Sequence, residues 1–151
     1  MRKDLVDTIV DTNLPIYRAD SSDLYKQTRA TQVLKRLEDK ESGAISVQCL
    51  NEFYSVVRKP RGLRLTHEQA RQEVLSLRDN FWVLDLTPGI TFEAMEGVGR
   101  YQLQWWDALL WATAKLNGIA TLLSEDFNNG AVLDGVRFVN PFLPSFDLAA
   151  L

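Results

Sequence analysis

The chain has 151 residues, of which 46% are hydrophobic and 25% charged, and a formal net charge of −3. This size and balance are typical of a soluble globular protein, so we expect residues 1–151 to form one domain. No apolar run approaches the roughly 20 residues that cross a bilayer, and the first residues lack the pattern of a signal peptide. A single cysteine and a single histidine exclude an internal disulfide and a zinc site built from several such residues. We therefore expect a cytoplasmic protein.

The hydrophobic pattern predicts five short strands that alternate with helices. The predicted strands cover residues 5–10, 44–45, 81–86, 119–123 and 136–139. A turn and a short helix over 14–18 follow the first strand. Apolar residues at helical spacing predict a longer helix within 20–40, with a polar outer face.

Capping residues indicate where the other helices begin. Ser46 is an N-cap for a helix that ends near residue 58. Thr66 and Gln69 have the spacing of a capping box, which opens a helix that ends near residue 78. The Thr-Pro pair at 87–88 starts another helix, and a last one covers about 104–116 before an Asn-Gly stop signal.

The alternation of strands and helices predicts an α/β fold, namely a three-layer α/β/α sandwich around a parallel sheet of roughly five strands. In such sheets the functional residues lie at the carboxyl ends of the strands. Asp11 directly follows the first predicted strand, and Asp126 follows the fourth after a short polar turn. We therefore expect both side chains at the same edge of the sheet.

Four of the 20 acidic residues lie where a carboxylate is locally unfavourable. Asp11 ends a buried strand, and Glu52 lies in a nearly apolar and aromatic helix. Asp107 begins a helix that is apolar almost all round, where an unpaired charge is costly. Asp126 lies in a polar turn, beside a Glu125 that we expect to be exposed.

Each of these acids also has a structural interpretation. Asp11 and Asp107 could cap helices, since Asp is favoured near helix N-termini. Glu52 could extend to water from the edge of its helix, and Asp126 could be an ordinary turn residue. Asp7 also follows a valine, but it lies within the strand pattern, so we place it away from the other acids.

A shared cation would explain the four carboxylates together. Mg²⁺ and Mn²⁺ prefer oxygen ligands and usually keep waters beside one or two direct carboxylates. Acids from separate elements leave coordination positions open for phosphate oxygens, and a bound cation can activate a water. An acidic protein could therefore still act on nucleic acid, although binding by counterion release alone would favour a basic one.

At these residues the sequence resembles the PIN-domain family, especially the VapC-like toxins of bacterial toxin–antitoxin pairs. The resemblance extends over about residues 5–141. Its four acidic motifs occur in order: Val-Asp-Thr-Asn at 10–13, the helix around Asn51-Glu52, Trp-Asp-Ala-Leu at 106–109 and Leu-Leu-Ser-Glu-Asp-Phe at 122–127. The resemblance implies a Rossmann-like sandwich, Mg²⁺ or Mn²⁺, hydrolysis of RNA phosphodiester bonds, a homodimer, and a small inhibitory antitoxin encoded separately.

The resemblance also assigns roles to residues. The acids that would bind the metal and act in catalysis are Asp11, Glu52, Asp107 and Asp126. The polar residues that would orient them are Thr12, Asn13 and Ser124. Asn128 stands where some members of the family have a further acid, which implies weaker binding of any second cation.

Two features near these motifs bear on the substrate. Trp105 and Trp106 are bulkier than expected before the third acid; we expect core packing for them, with base stacking as the alternative. A basic run without any acid contains Arg58, Lys59, Arg61 and Arg64. It is either a solvated helix end or a contact for the RNA backbone.

Two other functional classes remain open from the sequence. A PIN-like scaffold could bind RNA or protein without cutting it, although all four acids are present. A phosphatase or phospho-receiver could also place Asp11 after its first strand. However, a haloacid-dehalogenase-type site requires an Asp where Asn13 stands, and the acidic pair and late lysine of a phospho-receiver are not evident.

Overall fold

The computed structural model of the chain describes residues 3–151. The strands are β1 (Thr8–Val10), β2 (Gly43–Ser46), β3 (Trp82–Leu84), β4 (Thr121–Leu123), β5 (Val132–Leu133) and β6 (Val136–Val139). The helices are α1 (Asn13–Ala19), α2 (Leu24–Lys40), α3 (Val47–Val57), α4 (His67–Asn80), α5 (Pro88–Tyr101) and α6 (Trp105–Leu116). None of the helices in this part of the chain is long and apolar enough to span a membrane.

The six strands form one sheet in the order β3-β2-β1-β4-β6-β5. Five of them are parallel, which confirms the predicted α/β sandwich. The predicted number of strands was wrong by one, because β5 pairs antiparallel with β6. This strand has only two residues and is too short to show a periodic pattern. The hairpin turn between β5 and β6 has Asp134 and Gly135 in the left-handed conformation that such turns require.

Successive residues of the strands point to opposite faces of the sheet, and each face carries its own apolar layer. Ile9 and Leu122 belong to a core with α5 and α6, in which Trp111 is fully buried. Val10 and Leu123 face the other way and join the core formed with α2, α3 and α4. The sheet is thus covered on both sides, as the sequence predicts for short apolar strands.

The predicted helix starts are confirmed by hydrogen bonds. Ser46 Oγ accepts a hydrogen bond from Cys49 N at 3.1 Å, which fixes the start of α3 at the carboxyl end of β2. The capping box of Thr66 and Gln69 is complete in both directions. Thr87 caps α5 at 3.2 Å from Ile90 N. Of these caps, the one at Ser46 fixes the start of α3, the helix that carries Glu52.

The order of the strands creates a crevice at the centre of the sheet. From β1 the chain moves to one side through β2 and β3, and it returns on the other side of β1 with β4. The carboxyl ends of β1 and β4 therefore lie at the point where the strand order reverses. Ligands of open α/β sheets bind at this position.

A test of the packing between α5 and α6 uses two glycines on one helix. A Cβ at Gly97 would lie 2.5 Å from Cζ3 of the buried Trp111, whereas a Cβ at Gly99 would have no heavy atom within 4 Å. We expect Gly97→Ala to lower the free energy of unfolding by about 2 kcal/mol, because the core is overpacked. Gly99→Ala should raise it by about 0.5 kcal/mol, because alanine favours helix. Urea denaturation measures both; equal stability of the two variants would contradict the close contact.

Candidate active site

The structure brings the four predicted acids to the carboxyl edge of the sheet. Asp11 directly follows β1, and Asp126 lies in the turn after β4. Glu52 lies in the middle of α3, and Asp107 is the third residue of α6. They are close enough to affect one another's ionisation: Asp126 and Asp107 raise the pKa of Asp11, and Asp126 and Glu52 raise that of Asp107.

Both carboxylate oxygens of Asp11 accept hydrogen bonds. Its Oδ1 accepts a hydrogen bond from Thr12 N at 2.7 Å, and its Oδ2 accepts one from Ser124 Oγ at 2.6 Å. Burial is the main effect on its ionisation and raises its pKa to about 6, although these two hydrogen bonds act in the opposite direction. The N-cap of α1 is Thr12. The capping interpretation of Asp11 is therefore wrong.

Ser124 connects the ends of the two central strands. It is buried, and its hydroxyl donates to Asp11 and accepts a hydrogen bond from the backbone N of Asp126 at 3.1 Å. The Asn13 side-chain amide contacts Ser124 Oγ and Asp126 Oδ2, both at a longer 3.4 Å. One serine thus sets the relative position of two of the four carboxylates.

Glu52 is held by hydrogen bonds to both of its carboxylate oxygens. Thr12 Oγ1 donates to Oε2 at 2.8 Å, and Gln48 Nε2 donates to Oε1 at 2.8 Å. The Thr12 hydroxyl serves this role instead of capping α1. Gln48 also donates to the backbone oxygen of Trp106 at 3.2 Å, which links α3 to the start of α6.

Sequence reasoning missed Gln48. The available signal was its position four residues before Glu52, where helical side chains are neighbours, in a helix with few other polar residues. Asparagine and glutamine are common on surfaces, however, and only the fold shows that Gln48 is buried. Its burial makes it a second support for Glu52.

Asp107 differs from the other acids because its carboxylate accepts no hydrogen bond from the residues that the structure describes. It is half-buried, and burial, followed by the charges of Asp126 and Glu52, raises its pKa. The N-cap of its helix is Gln104. Asp107 makes no capping hydrogen bond, although it lies in the first turn of α6, where the helix dipole favours a carboxylate.

Glu125, the residue before Asp126, is an acid whose charge is neutralised by a salt bridge. It was expected to be exposed, but it is half-buried and forms a salt bridge with Lys26 at 2.8 Å. By contrast, none of Asp11, Glu52, Asp107 and Asp126 forms a salt bridge within residues 3–151. The four carboxylates therefore carry negative charge that no described side chain neutralises.

The donor set suits a hard divalent cation in charge and in chemistry, because every available ligand is oxygen. Asn13 Oδ1 and Gln48 Oε1 add two buried oxygens that have no hydrogen-bond partner in the described part of the chain. Among residues 3–151, no group of three or more acidic, histidine or cysteine side chains is placed so that it could hold a metal ion together. A cation at this edge would therefore have few direct carboxylate ligands and would take its other ligands from water.

A cleft of about 590 Å³ adjoins the carboxylates. Asp107 and Asp126 line it together with the amide side chains of Gln102, Gln104 and Asn128. Asn128, which stands where some PIN-domain proteins have a further acid, is exposed and lies on the cleft wall.

The prediction that the tryptophan pair packs in the core is wrong. Trp106 is 63% exposed and Trp105 37% exposed. The first turn of α6 extends past the sheet edge, and the helix becomes fully buried only from Ala108 onwards. Both indoles are therefore accessible beside the third acid.

The basic run lies beyond the end of α3. Its members are exposed and form no salt bridge with any described residue: Arg58, Lys59, Arg61 and Arg64. Arg58 donates to the hydroxyl of Tyr54 at 2.8 Å. From Glu52 the helix rises about 9 Å before it reaches Arg58. The run is thus separate from the carboxylates, on a free cationic surface.

A stability measurement tests the electrostatics of this site in metal-free protein. Because the folded pKa of Asp11 is about 6, above its ordinary 3.8, ionised Asp11 destabilises the fold above about pH 6. This penalty decreases as the pH falls through the folded pKa. We expect the free energy of unfolding in EDTA to rise by about 1 kcal/mol between about pH 7.5 and about pH 5.

The matched variants are Asp11→Asn and Asp7→Asn. At neutral pH, the free energy of unfolding of Asp11→Asn should be about 1 kcal/mol higher than that of the parent. It should also depend much less on pH. Asp7, at the opposite edge of the sheet, is exposed, and its carboxylate accepts a hydrogen bond from the neighbouring Thr8 hydroxyl. Asp7→Asn should keep the pH dependence of the parent. If Asp11→Asn also keeps it, ionised Asp11 does not destabilise the fold.

Comparison with known proteins agrees with this architecture. The PIN domain family model matches residues 8–130. A toxin–antitoxin complex from Klebsiella pneumoniae has a TM-score of 0.65 at 22% identity, covering 89% of this chain and 98% of its own. No curated protein matches the chain.

Two further structures are similar. VapC20 of Mycobacterium tuberculosis, a sarcin–ricin loop cleaving toxin, has a TM-score of 0.59 at 20% identity and covers 77% of this chain and 87% of its own. VapBC2 of Rickettsia felis, bound to a DNA fragment from its promoter, has a TM-score of 0.62 at 16% identity and covers 88% and 97%. These likenesses agree in fold with the family match, which spans most of the chain. This chain belongs to the PIN-domain family.

Proposed function

We propose that this chain is a divalent-metal-dependent endoribonuclease and the toxin of a toxin–antitoxin pair. The observation that carries the proposal is the convergence of four carboxylates on the sheet edge of a PIN-family fold, without a salt bridge from any described residue. The similar structures support it, because they include toxin–antitoxin complexes and a toxin that cleaves the sarcin–ricin loop.

The residues that would hold the cation are Asp11, Glu52, Asp107 and Asp126. When bound, Mg²⁺ or Mn²⁺ would activate a water and stabilise the leaving oxygen of the phosphodiester. Asp11 and Asp126 are held in register by Ser124, and Glu52 is fixed by Thr12 and Gln48. The carboxylate of Asp107 accepts no hydrogen bond from a described residue, so it is free to turn towards a ligand.

The proton state of Asp11 favours this role at neutral pH. With a pKa of about 6, Asp11 is mostly ionised at pH 7 but is destabilised by burial in that form. A carboxylate in this condition gains from a nearby positive charge. Ligand binding would also release the proton that remains at slightly acidic pH.

The basic run is proposed as a contact for the RNA backbone. Its four side chains are exposed and form no salt bridge with a described residue, and the acidic site itself offers no positive charge to phosphate. Lys and Arg bind phosphates without reading the base sequence. The run would therefore hold the substrate at a distance from the cleavage point.

The salt dependence of RNA binding tests this contact. Arg61→Ala should weaken binding and lower the slope of log K against log salt by about 0.7, because about one fewer counterion is released from single-stranded RNA. Arg71→Ala is the control, since Arg71 is exposed but already paired with Glu68 on α4. An unchanged slope for Arg58→Ala, Lys59→Ala, Arg61→Ala and Arg64→Ala would show that the run is only a solvated helix end.

The proposed partners are a small antitoxin and a second copy of the chain, in the cytoplasm. An antitoxin would place a basic side chain against the unpaired carboxylates, where charge-assisted hydrogen bonds are strong. Phe92 and Met95 are exposed three residues apart on α5, and this apolar face supports a homodimer. Sedimentation of the purified protein as a monomer would contradict the homodimer.

The decisive test of the function is Asp107→Asn. The change removes a charge but keeps nearly the same shape, so we expect a folded protein whose RNA cleavage falls at least a hundredfold. The control Asp7→Asn should cleave RNA at the parent's rate. EDTA should stop cleavage by the parent and by Asp7→Asn. In cells, the parent and Asp7→Asn should arrest growth, whereas Asp107→Asn should not.

Three results would contradict the proposal. Full activity of Asp107→Asn would remove Asp107 from the site. A folded parent that binds RNA but never cuts it would indicate a non-catalytic PIN module. Normal growth of cells that contain high levels of active protein would contradict the toxin role. The proposed nuclease activity would then still stand.

A further inference from the structure

One side-chain cluster beside the candidate site is not explained by the four acids. Lys26 Nζ donates to Glu125 Oε2 at 2.8 Å and to the Tyr17 hydroxyl at 3.0 Å. The Tyr17 hydroxyl in turn donates to Glu125 Oε1. The three groups thus form a closed ring of hydrogen bonds, in which both carboxylate oxygens of Glu125 are occupied.

This cluster is partly buried and connects separate elements of the fold. Lys26 and Glu125 have side-chain exposures of 31% and 22%. The Lys26 ammonium also lies 4.6 Å from the centre of the Tyr17 ring and 5.8 Å from that of Phe142. Tyr25 OH donates to Phe142 O at 2.8 Å, which holds the start of α2 in place. The Lys26–Glu125 pair is less exposed than an ordinary surface ion pair, and both of its members also bond to Tyr17. Exposed ion pairs usually contribute little to stability.

The position of Glu125 gives the cluster a consequence for the site. Glu125 lies between Ser124, which bonds to Asp11, and Asp126, which faces the cleft. A Glu125 carboxylate released from Lys26 and Tyr17 would be an unpaired negative charge and a flexible oxygen ligand, one residue away from Asp126. Neighbouring carboxylates also repel each other, which would disturb the turn that carries Asp126.

We propose that Lys26 is a positioning residue: it sequesters the carboxylate of Glu125 so that Asp126, and not Glu125, faces Asp11 and Asp107. This inference rests on the proposed function, because it concerns how the candidate site receives its cation. Tyr17 completes the sequestration by binding the second oxygen of Glu125. Mutation of a residue that orients a metal ligand typically lowers metal affinity or activity by about 10- to 100-fold.

The test uses Lys26→Met, Lys26→Met with Glu125→Gln, and the control Lys35→Met. Methionine keeps the length of the lysine side chain without its charge. Lys35 lies on the same helix and forms a fully exposed pair with Asp39, so its loss should change nothing. For each full-length protein, the measurements are Mn²⁺ affinity by calorimetry, the melting temperature, and kcat and KM for RNA cleavage.

We expect Lys26→Met to reduce kcat about tenfold with little change in KM. Its affinity for Mn²⁺ should equal or exceed that of the parent, because Glu125 becomes available as a ligand. The double variant removes the competing carboxylate as well and should regain most of the parent's kcat and its Mn²⁺ affinity. A purely structural role would instead lower the melting temperature and weaken both metal binding and cleavage.

Several results would overturn the inference. These are parent-like cleavage by Lys26→Met, weaker Mn²⁺ binding by that variant, or a double variant as slow as the single one. A parent protein that binds no Mn²⁺ and cuts no RNA overturns the proposed function and this inference with it. If the parent is active and only the Lys26 variants fail these expectations, the proposed function stands and the role of Lys26 falls.

Discussion

The hydrogen bond from Ser124 Oγ to Asp11 Oδ2, 2.6 Å long, joins the carboxyl ends of β1 and β4 at the point where the strand order reverses. A second bond in the same place, from Asp11 N to Leu123 O at 2.9 Å, continues the pairing of the two strands. The turn after β4 can then bring Asp126 next to Asp11. The remaining acids are arranged around this junction by α3 and α6.

The cost of this arrangement is electrostatic. Burial raises the pKa of Asp11 to about 6, and burial together with neighbouring charges raises that of Asp107. Elsewhere in the chain an exposed acid is neutralised: Asp134 accepts a hydrogen bond from Tyr101 and is paired with Lys115 and Arg100, and these interactions lower its pKa. The four site acids have no basic partner among the described residues. A protein retains such a cost where the charge has a use, and carboxylates with perturbed pKa values beside a cleft are candidates for functional residues.

Uncharged hydrogen-bond donors hold the ordered acids, and this has a physical advantage. Ser124, Thr12 and Gln48 fix the carboxylates of Asp11 and Glu52 without neutralising them. A lysine or arginine in the same position would fix them too, but it would compete with any cation. Lys26 is instead occupied with Glu125, the residue before Asp126. Orientation and neutralisation are thus carried out by different residues.

The sequence by itself determined the class of fold and the starts of three helices, and it singled out the four acids as candidates, because these depend on local periodicity, capping and the mismatch of a charge with apolar neighbours. Ser46, Thr66 and Thr87 act locally, within three residues, and their roles were predicted correctly. Only the tertiary structure decided the rest. The burial of Gln48, the pairing of Glu125 with Lys26 across 99 positions, and the exposure of Trp106 depend on residues far away in the chain. Strand β5 was missed because two residues have no period, and its pairing with β6 depends on the sheet that is already there.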